Sequence, residues 1–173
     1  FYGYVADGIF QNQTEVNAHT DEYGTVIQPN AQPGDIRFKD LNHDGKLDDN
    51  DKTFIGNAFP DLMVGINARL AWKNIDFAAN FYGTIGNDVY NTTKGRYSGV
   101  SGENVYAGTY NASWHGEGTS YDLPRLSYND ANQNWTRVSS FYVEDGSYLR
   151  IAQVTLGYTL PKVWLKKFMI SNA

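Results

Sequence analysis

Residues 61–72 alternate without a break: Leu62, Val64, Ile66, Ala68, Leu70 and Trp72 are apolar, while Gly65, Asn67 and Arg69 lie among the positions between them. Successive side chains of a strand point to opposite faces, so a period of two predicts one long strand with a wholly apolar face. The polar pair Lys73-Asn74 leaves room only for a tight turn. Alternation then resumes on Phe77, Ala79, Phe81, Gly83, Ile85 and Val89, against Asp76, Asn80, Thr84 and Asp88. Together these residues, 61–90, read as a long β-hairpin. Strands of soluble sheets average about 5–6 residues, whereas a strand that crosses a membrane needs about 9–11. Trp72 and Phe77 flank the turn, where an interfacial aromatic girdle would lie. Length and pattern therefore admit a membrane strand, with a soluble sheet or sandwich as the alternative.

A third alternating stretch covers residues 147–160, with Tyr148, Ala152, Val154, Leu156, Tyr158 and Leu160 on one side and Gln153, Thr155 and Thr159 on the other; Pro161 ends it. Arg150 shares the face of Ala152 and Val154. A charge on a lipid-facing position costs about 2–4 kcal/mol at mid-membrane, so Arg150 must lie near a rim or the strand must carry a bulge. Between hairpin and third strand, residues 91–140 are dense in Tyr, Asn, Gly and Ser and have no sustained period. A structureless connection of that length is rare inside a compact domain and is usually functional. The KVWLKKFMI run after Pro161 is amphipathic but short, and reads as a turn of helix or a connector.

Composition removes several classes. The 14 basic residues are scattered over a chain of net charge −5, so nucleic-acid binding lacks its basic footprint. With no cysteine, neither a disulfide framework nor a thiolate metal site can form. Thirteen tyrosines and 17 glycines suit β-structure with large polar loops. No apolar run approaches the roughly 18–20 residues of a membrane helix, which leaves membrane strands open. The chain opens FYGYVADGIF, with no Met and no charged or apolar leader, so no signal peptide is expected and the sequence reads as part of something longer.

Residues 40–51, DLNHDGKLDDND, match a twelve-residue calcium loop. Such a loop draws oxygens from positions 1, 3, 5, 7, 9 and 12 and turns at a glycine in position 6. Here Asp40, Asn42 and Asp44 fall at 1, 3 and 5, Gly45 at 6, Lys46 offers a carbonyl at 7, and Asp48 and Asp51 fall at 9 and 12. A hard cation with six to eight oxygen ligands needs alternate residues of a tight loop to point inward. Asp51 stands where glutamate is usual, and its reach is shorter. The alternative is a solvated acidic turn, since Asp, Asn and Gly are ordinary turn formers. Strands beyond the loop, in place of the paired helices of a sensor, make calcium a structural clamp over the 35–60 region.

Other candidate chemistry is thin. In the 91–140 loop, Trp114, Trp135, Tyr106, Tyr110 and Tyr121, with Tyr97 and Tyr128, could pack against sugar rings or anchor a protein partner, or could fold the loop on itself. His43 points outward in the calcium template, and His19 and His115 have no partners at metal spacing. Asp21 and Glu22 are weak as an acid–base pair, and no catalytic triad, zinc motif or phosphate loop can be assembled, so no enzyme activity is expected. Gly83 and Gly86 read as marks of a bend or bulge.

Four blocks, GYVADGIFQNQTEVN, PGDIRFKDLNHDGKLDDNDKTFIGNAFPDLMVGIN, FYGTIGNDVYN and FYVEDGSYLRIAQVTLGYTLP, together resemble the SusC/RagA-type TonB-dependent outer-membrane transporters. The second and fourth blocks are the specific ones. The resemblance implies an all-β fold, antiparallel strands of a 22-stranded transmembrane barrel of which this chain is a fragment near the C-terminal end. It further implies import of oligosaccharides, or in some members peptides, energised through TonB, with a SusD-like surface lipoprotein over the barrel. With the Lys73-Asn74 turn on the periplasmic side, the calcium loop and the 91–140 loop would lie extracellularly. Two other classes remain to be weighed: a secreted calcium-stabilised carbohydrate-binding or adhesion module, and a dockerin-like scaffold, which would need a second calcium loop.

Overall fold

The computed structural model describes residues 1–96 and 104–161. Tyr97 and the KVWLKKFMI run fall outside the described residues. The chain divides into two compact units, one of Phe1–Ala58 with Asp88–Glu144, the other of Phe59–Asn87 with Asp145–Ala173.

The second unit is the alternating sequence made into a sheet. Strands β5 (Leu62–Trp72), β6 (Ile75–Ile85) and β9 (Tyr148–Tyr158) are 11 residues each and pair antiparallel in the order β5-β6-β9. Lys73 adopts φ 55, the left-handed conformation a two-residue hairpin turn demands, and its ammonium sits 4.6 Å from the centroid of the Trp72 ring. At about 3.3 Å per residue an 11-residue strand is about 36 Å long, or about 28 Å along a membrane normal at the usual barrel tilt near 40°. That matches a hydrocarbon layer of about 30 Å.

Register assembles the two faces. Leu62, Ile66, Leu70 and Trp72 lie opposite Ile85, Phe81, Phe77 and Ile75, and Phe77 and Ala79 lie opposite Leu156 and Val154, so one face is apolar across all three strands. It is also open: Leu70 is 69% exposed, Trp72 67% and Leu156 75%. The other face carries Asn67 opposite Asn80 and Asn80 opposite Gln153, whose side-chain amides meet at 3.4 Å.

Two strand assignments differ from the sequence pattern. Asn80 pairs with Gln153 but Phe81 pairs with Ile151, which leaves Ala152 without a partner residue as a β-bulge. Beyond the bulge the parity flips. Arg150 lies opposite Tyr82 and Tyr148 opposite Thr84, both on the polar face, while Leu149 and Ile151 take the apolar face. Tyr148 and Ala152 are therefore not in one apolar row with Val154, and the bulge answers how Arg150 avoids that row. Val89 does not extend β6 either. Gly86, at φ +85, ends that strand, and Val89 belongs to the separate strand β7 (Asp88–Tyr90).

The first unit is built from short pieces. Strands β1 (Tyr2–Tyr4) and β4 (Lys52–Phe54) pair, as do β2 (Ala6–Ile9) and β3 (Ile36–Phe38), and β7 pairs with β8 (Val143–Asp145). Helix α1 (Gln13–Ala18) starts where the Asn12 side chain accepts the Glu15 amide at 3.0 Å as N-cap, and the Glu15 carboxylate accepts the Gln11 amide just before the cap at 2.8 Å. Two more helical pieces, α2 (Thr93–Arg96) and α3 (Ala107–Ala112), lie in the long connection.

Two small apolar clusters form its core, Tyr4 with Ile36 and Phe38, and Phe10 with Val16 and Ala31. The Arg137 guanidinium covers the first, 4.6 Å from the Tyr4 centroid and 5.1 Å from that of Phe38. Amides do much of the remaining joining. Gln28 Nε2 donates to the Ile36 carbonyl and to Asn132 Oδ1, and Gln28 Oε1 accepts the Phe38 amide. Asn134, fully buried, accepts the Ile36 amide at 2.8 Å and donates to Asp35 at 2.8 Å. Asp35, also fully buried, takes a 2.6 Å bond from Arg125 Nε. Residues 120–140 are thus stitched to β3 through polar side chains, so the long connection is ordered there without any apolar period.

Candidate functional site

The acidic loop folds around its own carboxylates. Asp40 accepts the His43 amide at 2.7 Å and, with its other oxygen, the Gly45 amide at 2.8 Å. Gly45 stands at φ +78 and is buried, with the Asp21 carboxylate against the position a Cβ would fill. Only glycine serves there, as a position-6 turn requires. Asn42 Oδ1 accepts the Asp44 amide at 3.2 Å, its Nδ2 donates to Asp44 Oδ2 at 2.8 Å, and Asp44 Oδ1 accepts the Lys46 amide at 3.0 Å.

Position 12 closes back on the start of the loop. Asp51, fully buried, accepts the Leu41 amide at 2.8 Å with Oδ1 and the Asp48 amide at 2.8 Å with Oδ2. Asp48 in turn accepts the Asn50 amide at 2.8 Å, so the Asp49–Asp51 turn of 3-10 helix carries a capping box. Asp40 and Asp51 are buried, whereas Asn42, Asp44, Lys46 and Asp48 are exposed. Among the described residues no three acidic or imidazole side chains converge as a metal-binding group. The donor chemistry still suits a hard cation. A carboxylate has about four acceptor positions, and the amides that Asp40 and Asp51 accept leave part of that capacity free.

The loop's neighbours are turn makers and ion pairs. Asp21 accepts the Tyr23 and Thr25 amides at 2.9 and 2.7 Å, which is the work of a turn and not of an acid–base pair with Glu22. The 2.8 Å bond from Lys52 holds the Asp49 carboxyl below the usual carboxylate range. His43 is exposed, as its outward position in the loop template implies. His19 Nε2 meets the Phe38 carbonyl at 3.1 Å, and burial pushes that imidazole's pKa down.

The aromatic candidates of the long connection separate by burial. Trp135 is 5% exposed, with Nε1 donating to the Arg125 carbonyl and the ring edge-on to Phe141 at 5.6 Å. Trp114 is half-buried, its ring lies against Gly34 and its Nε1 donates to Gln11 Oε1 at 3.3 Å. Both indoles fold the unit on itself. Tyr106, Tyr110, Tyr121 and Tyr128 are exposed, and the Tyr110 ring rests on His115 at 5.2 Å between centroids.

On the polar face of the sheet the bulge assembles a group that strict alternation conceals. Arg150 Cζ lies 5.7 Å from the Tyr82 ring centroid and 5.8 Å from that of Tyr148, and the two rings are 6.0 Å apart.

No family model matches the chain. Among curated proteins it is similar to the TonB-dependent receptor P3 of Formosa agariphila, 32% identical over 167 residues, which cover 96% of this chain and 16% of that protein. The TonB-dependent receptor P26 of the same organism is 32% identical over 154 residues, covering 89% of this chain and 15% of the relative. The TonB-dependent receptor SusC of Bacteroides thetaiotaomicron is 24% identical over 161 residues, covering 88% and 15%. Among solved structures, the RagAB peptide importer aligns over 95% of this chain at 18% identity, with TM-scores of 0.60 in its closed-closed state and 0.62 in its open-open state. That likeness is one of fold, and it places the three long strands in a barrel wall. The chain spans about a sixth of the length of the relatives it matches.

Proposed function

The chain belongs to the SusC/RagA-type TonB-dependent receptors, β-barrel proteins of the outer membrane, and from that premise we propose that it is part of the wall and mouth of a transporter that imports nutrient. The observation that carries this reading is the sheet: three paired 11-residue strands with an open apolar face on one side and a polar face on the other. In a barrel the first face meets lipid and the second the lumen. Register puts the start of β5, the end of β6 and the start of β9 at one end of the sheet, opposite the Lys73-Asn74 turn. Short turns are periplasmic in such barrels, so that end is extracellular.

The transported nutrient on this reading is an oligosaccharide, with a peptide as the alternative because the RagAB structures are of a peptide importer. TonB energises import through parts of the protein other than this segment, and a SusD-like lipoprotein covers the mouth. The exposed Tyr106, Tyr110 and Tyr121 are the residues of the connection that would meet substrate or lipoprotein. Its role is transport and not catalysis. A secreted carbohydrate-binding module would have to bury the apolar face of β5, β6 and β9 under a second layer, whereas a barrel leaves it to lipid.

Calcium is a second element of the proposal. Asp40, Asn42, Asp44, the Lys46 carbonyl, Asp48 and Asp51 would hold the ion, and its role would be to lock a loop whose carboxylates otherwise rely on amide bonds alone. Chelation of the full-length protein should raise protease cleavage within residues 35–60, and Asp44→Ala should do so with calcium present. Cleavage indifferent to both would refute the site. The transport reading is tested by expressing the full-length gene and fractionating the cells. A heat-modifiable barrel in the outer membrane, co-purifying with a surface lipoprotein, is expected; recovery in the soluble secreted fraction would refute it.

A further inference from the structure

We propose that Tyr82, Tyr148 and Arg150 form a binding site for an anionic sugar residue on the lumen face of the barrel wall, near its extracellular end. The inference rests on the transport reading for the identity of that face and extends it to the charge of the substrate. Its origin is the bulge at Ala152. Without it, strict alternation would send Tyr148 and Arg150 to the apolar side with Val154; with it, they stand opposite Thr84 and Tyr82. Bulges re-aim side chains and gather beside functional sites.

The chemistry of the group is specific. Arginine's planar guanidinium presents donors in a fork that fits a carboxylate or sulfate bidentately, and its faces pack on aromatic rings. Here both rings lie at cation–π distance, so the faces are engaged while the in-plane donors remain available. Among the described residues no acidic side chain pairs with Arg150. On the polar face of the three strands the one carboxylate is Asp76, six residues from Tyr82 along β6 and so about 20 Å away. The positive charge therefore has no carboxylate within about 20 Å along its own face of the three strands.

Three surrounding features suit a saccharide. Tyr82 and Tyr148 are 36% and 42% exposed as residues, and each carries a flat ring on which the C–H face of a pyranose can pack. Two residues along β6 from Tyr82, about 7 Å away, the Asn80 and Gln153 amides offer donors and acceptors for hydroxyls at roughly the spacing of one sugar ring. Thr84, opposite Tyr148, is 7% exposed and its hydroxyl has no hydrogen-bond partner. The paired rings, the amide rung and the unpartnered hydroxyl thus lie beside Arg150 along one stretch of the polar face.

The test uses the full-length transporter in detergent and four probes: a galacturonate hexasaccharide, a sulfated carrageenan hexasaccharide, neutral maltohexaose and tetraglutamate. Calorimetry should find at least one anionic saccharide bound tenfold or more tighter than maltohexaose, with an advantage that shrinks between 50 and 300 mM salt. Arg150→Gln should remove that advantage, Arg150→Lys should retain part of it, and Tyr148→Ala should weaken charged and neutral sugars alike. Each variant is first checked for a heat-modifiable barrel. The proposal is overturned if Arg150→Gln binds the anionic sugar as the unmodified protein does, if no anionic sugar is preferred, or if tetraglutamate binds better than any sugar. Uptake of neutral sugar with no anionic preference would sink this inference alone. Absence of the barrel from the outer membrane would sink the transport reading itself.

Discussion

Removing the Arg125 guanidinium should detach the long connection from β3. Asp35 is fully buried and holds three groups: Arg125 Nε at 2.6 Å, Asn134 Nδ2 at 2.8 Å and the Gln32 amide at 2.8 Å. Breaking a buried ion pair by deleting one partner costs about 3–5 kcal/mol, because the remaining charge stays buried and uncompensated. Arg125→Met keeps most of the apolar stem, and the two other donors still solvate Asp35. The Arg125 side chain is also 22% exposed. The expected loss is therefore at the low end, about 3 kcal/mol. At about 1.4 kcal/mol per decade, that is roughly a hundredfold in the opening equilibrium. The assay is amide hydrogen exchange in the full-length protein, read at the Trp114 amide, bonded to the Leu123 carbonyl, and the residue-125 amide, bonded to the Gly34 carbonyl. Adding Asp35→Asn removes the stranded charge and should restore at least half of the lost protection on a logarithmic scale. A change below threefold in Arg125→Met, or no recovery in the double variant, would refute an electrostatic clamp.

Three further outcomes follow from the same geometry. Burial lowers the pKa of His19, so the neutral imidazole is favoured in the folded state. Its stabilising contribution is complete above the unfolded value near 6.5 and is lost as pH falls through the lower folded value. Proteolysis of the 10–40 region should accelerate between pH 7 and pH 5, and His19→Gln should flatten that dependence; an unchanged profile would contradict it. Deleting Ala152 should return Arg150 to the lipid face at a cost of up to about 2–4 kcal/mol, less near the rim, and lower the yield of heat-modifiable barrel. An undiminished yield would mean that the bulge does not set the face. Gly45→Ala forces a side chain into the left-handed turn and against Asp21, and should raise cleavage within residues 35–60 as chelation does; unaltered cleavage would show that the turn is not under steric constraint.

The long strands were legible because lipid imposes a rule on every second residue. Leu62 through Trp72 have no buried partner to accommodate, so their alternation is clean, and the strand bounds follow from it. Parity beyond Ala152 was legible only as a conflict. Arg150 had to lie near a rim or the strand had to carry a bulge, and the sequence could not choose, since a bulge is fixed by pairing with a strand about 70 residues away. The acidic loop was readable for the opposite reason, being local: Asp40 and Gly45 make their bond within five residues.

The rest of the first unit was not legible. Its order depends on Gln28, Asp35, Asn132 and Asn134, polar residues joined across up to 104 positions. Amide networks leave no period, and an Asn buried by three hydrogen bonds looks in sequence like an Asn in a loop. The indoles illustrate the same limit. In sequence Trp114 and Trp135 could equally meet a ligand or fold the loop on itself, and only their backbone and amide acceptors inside the unit decide for the second.

The most direct test of the barrel account is site-directed spin labelling along β5 and β9 in the full-length protein reconstituted in bilayers. The account predicts that labels at 64, 66 and 68 are relaxed by oxygen dissolved in lipid and labels at 65, 67 and 69 by a water-soluble nickel complex. In β9 it predicts lipid contact at 149, 151, 154 and 156 and water contact at 148, 150, 153 and 155, with the phase shifting at Ala152. Water accessibility on both parities would contradict a membrane wall, and alternation running through Ala152 without a shift would contradict the bulge and the lumenal placement of Arg150.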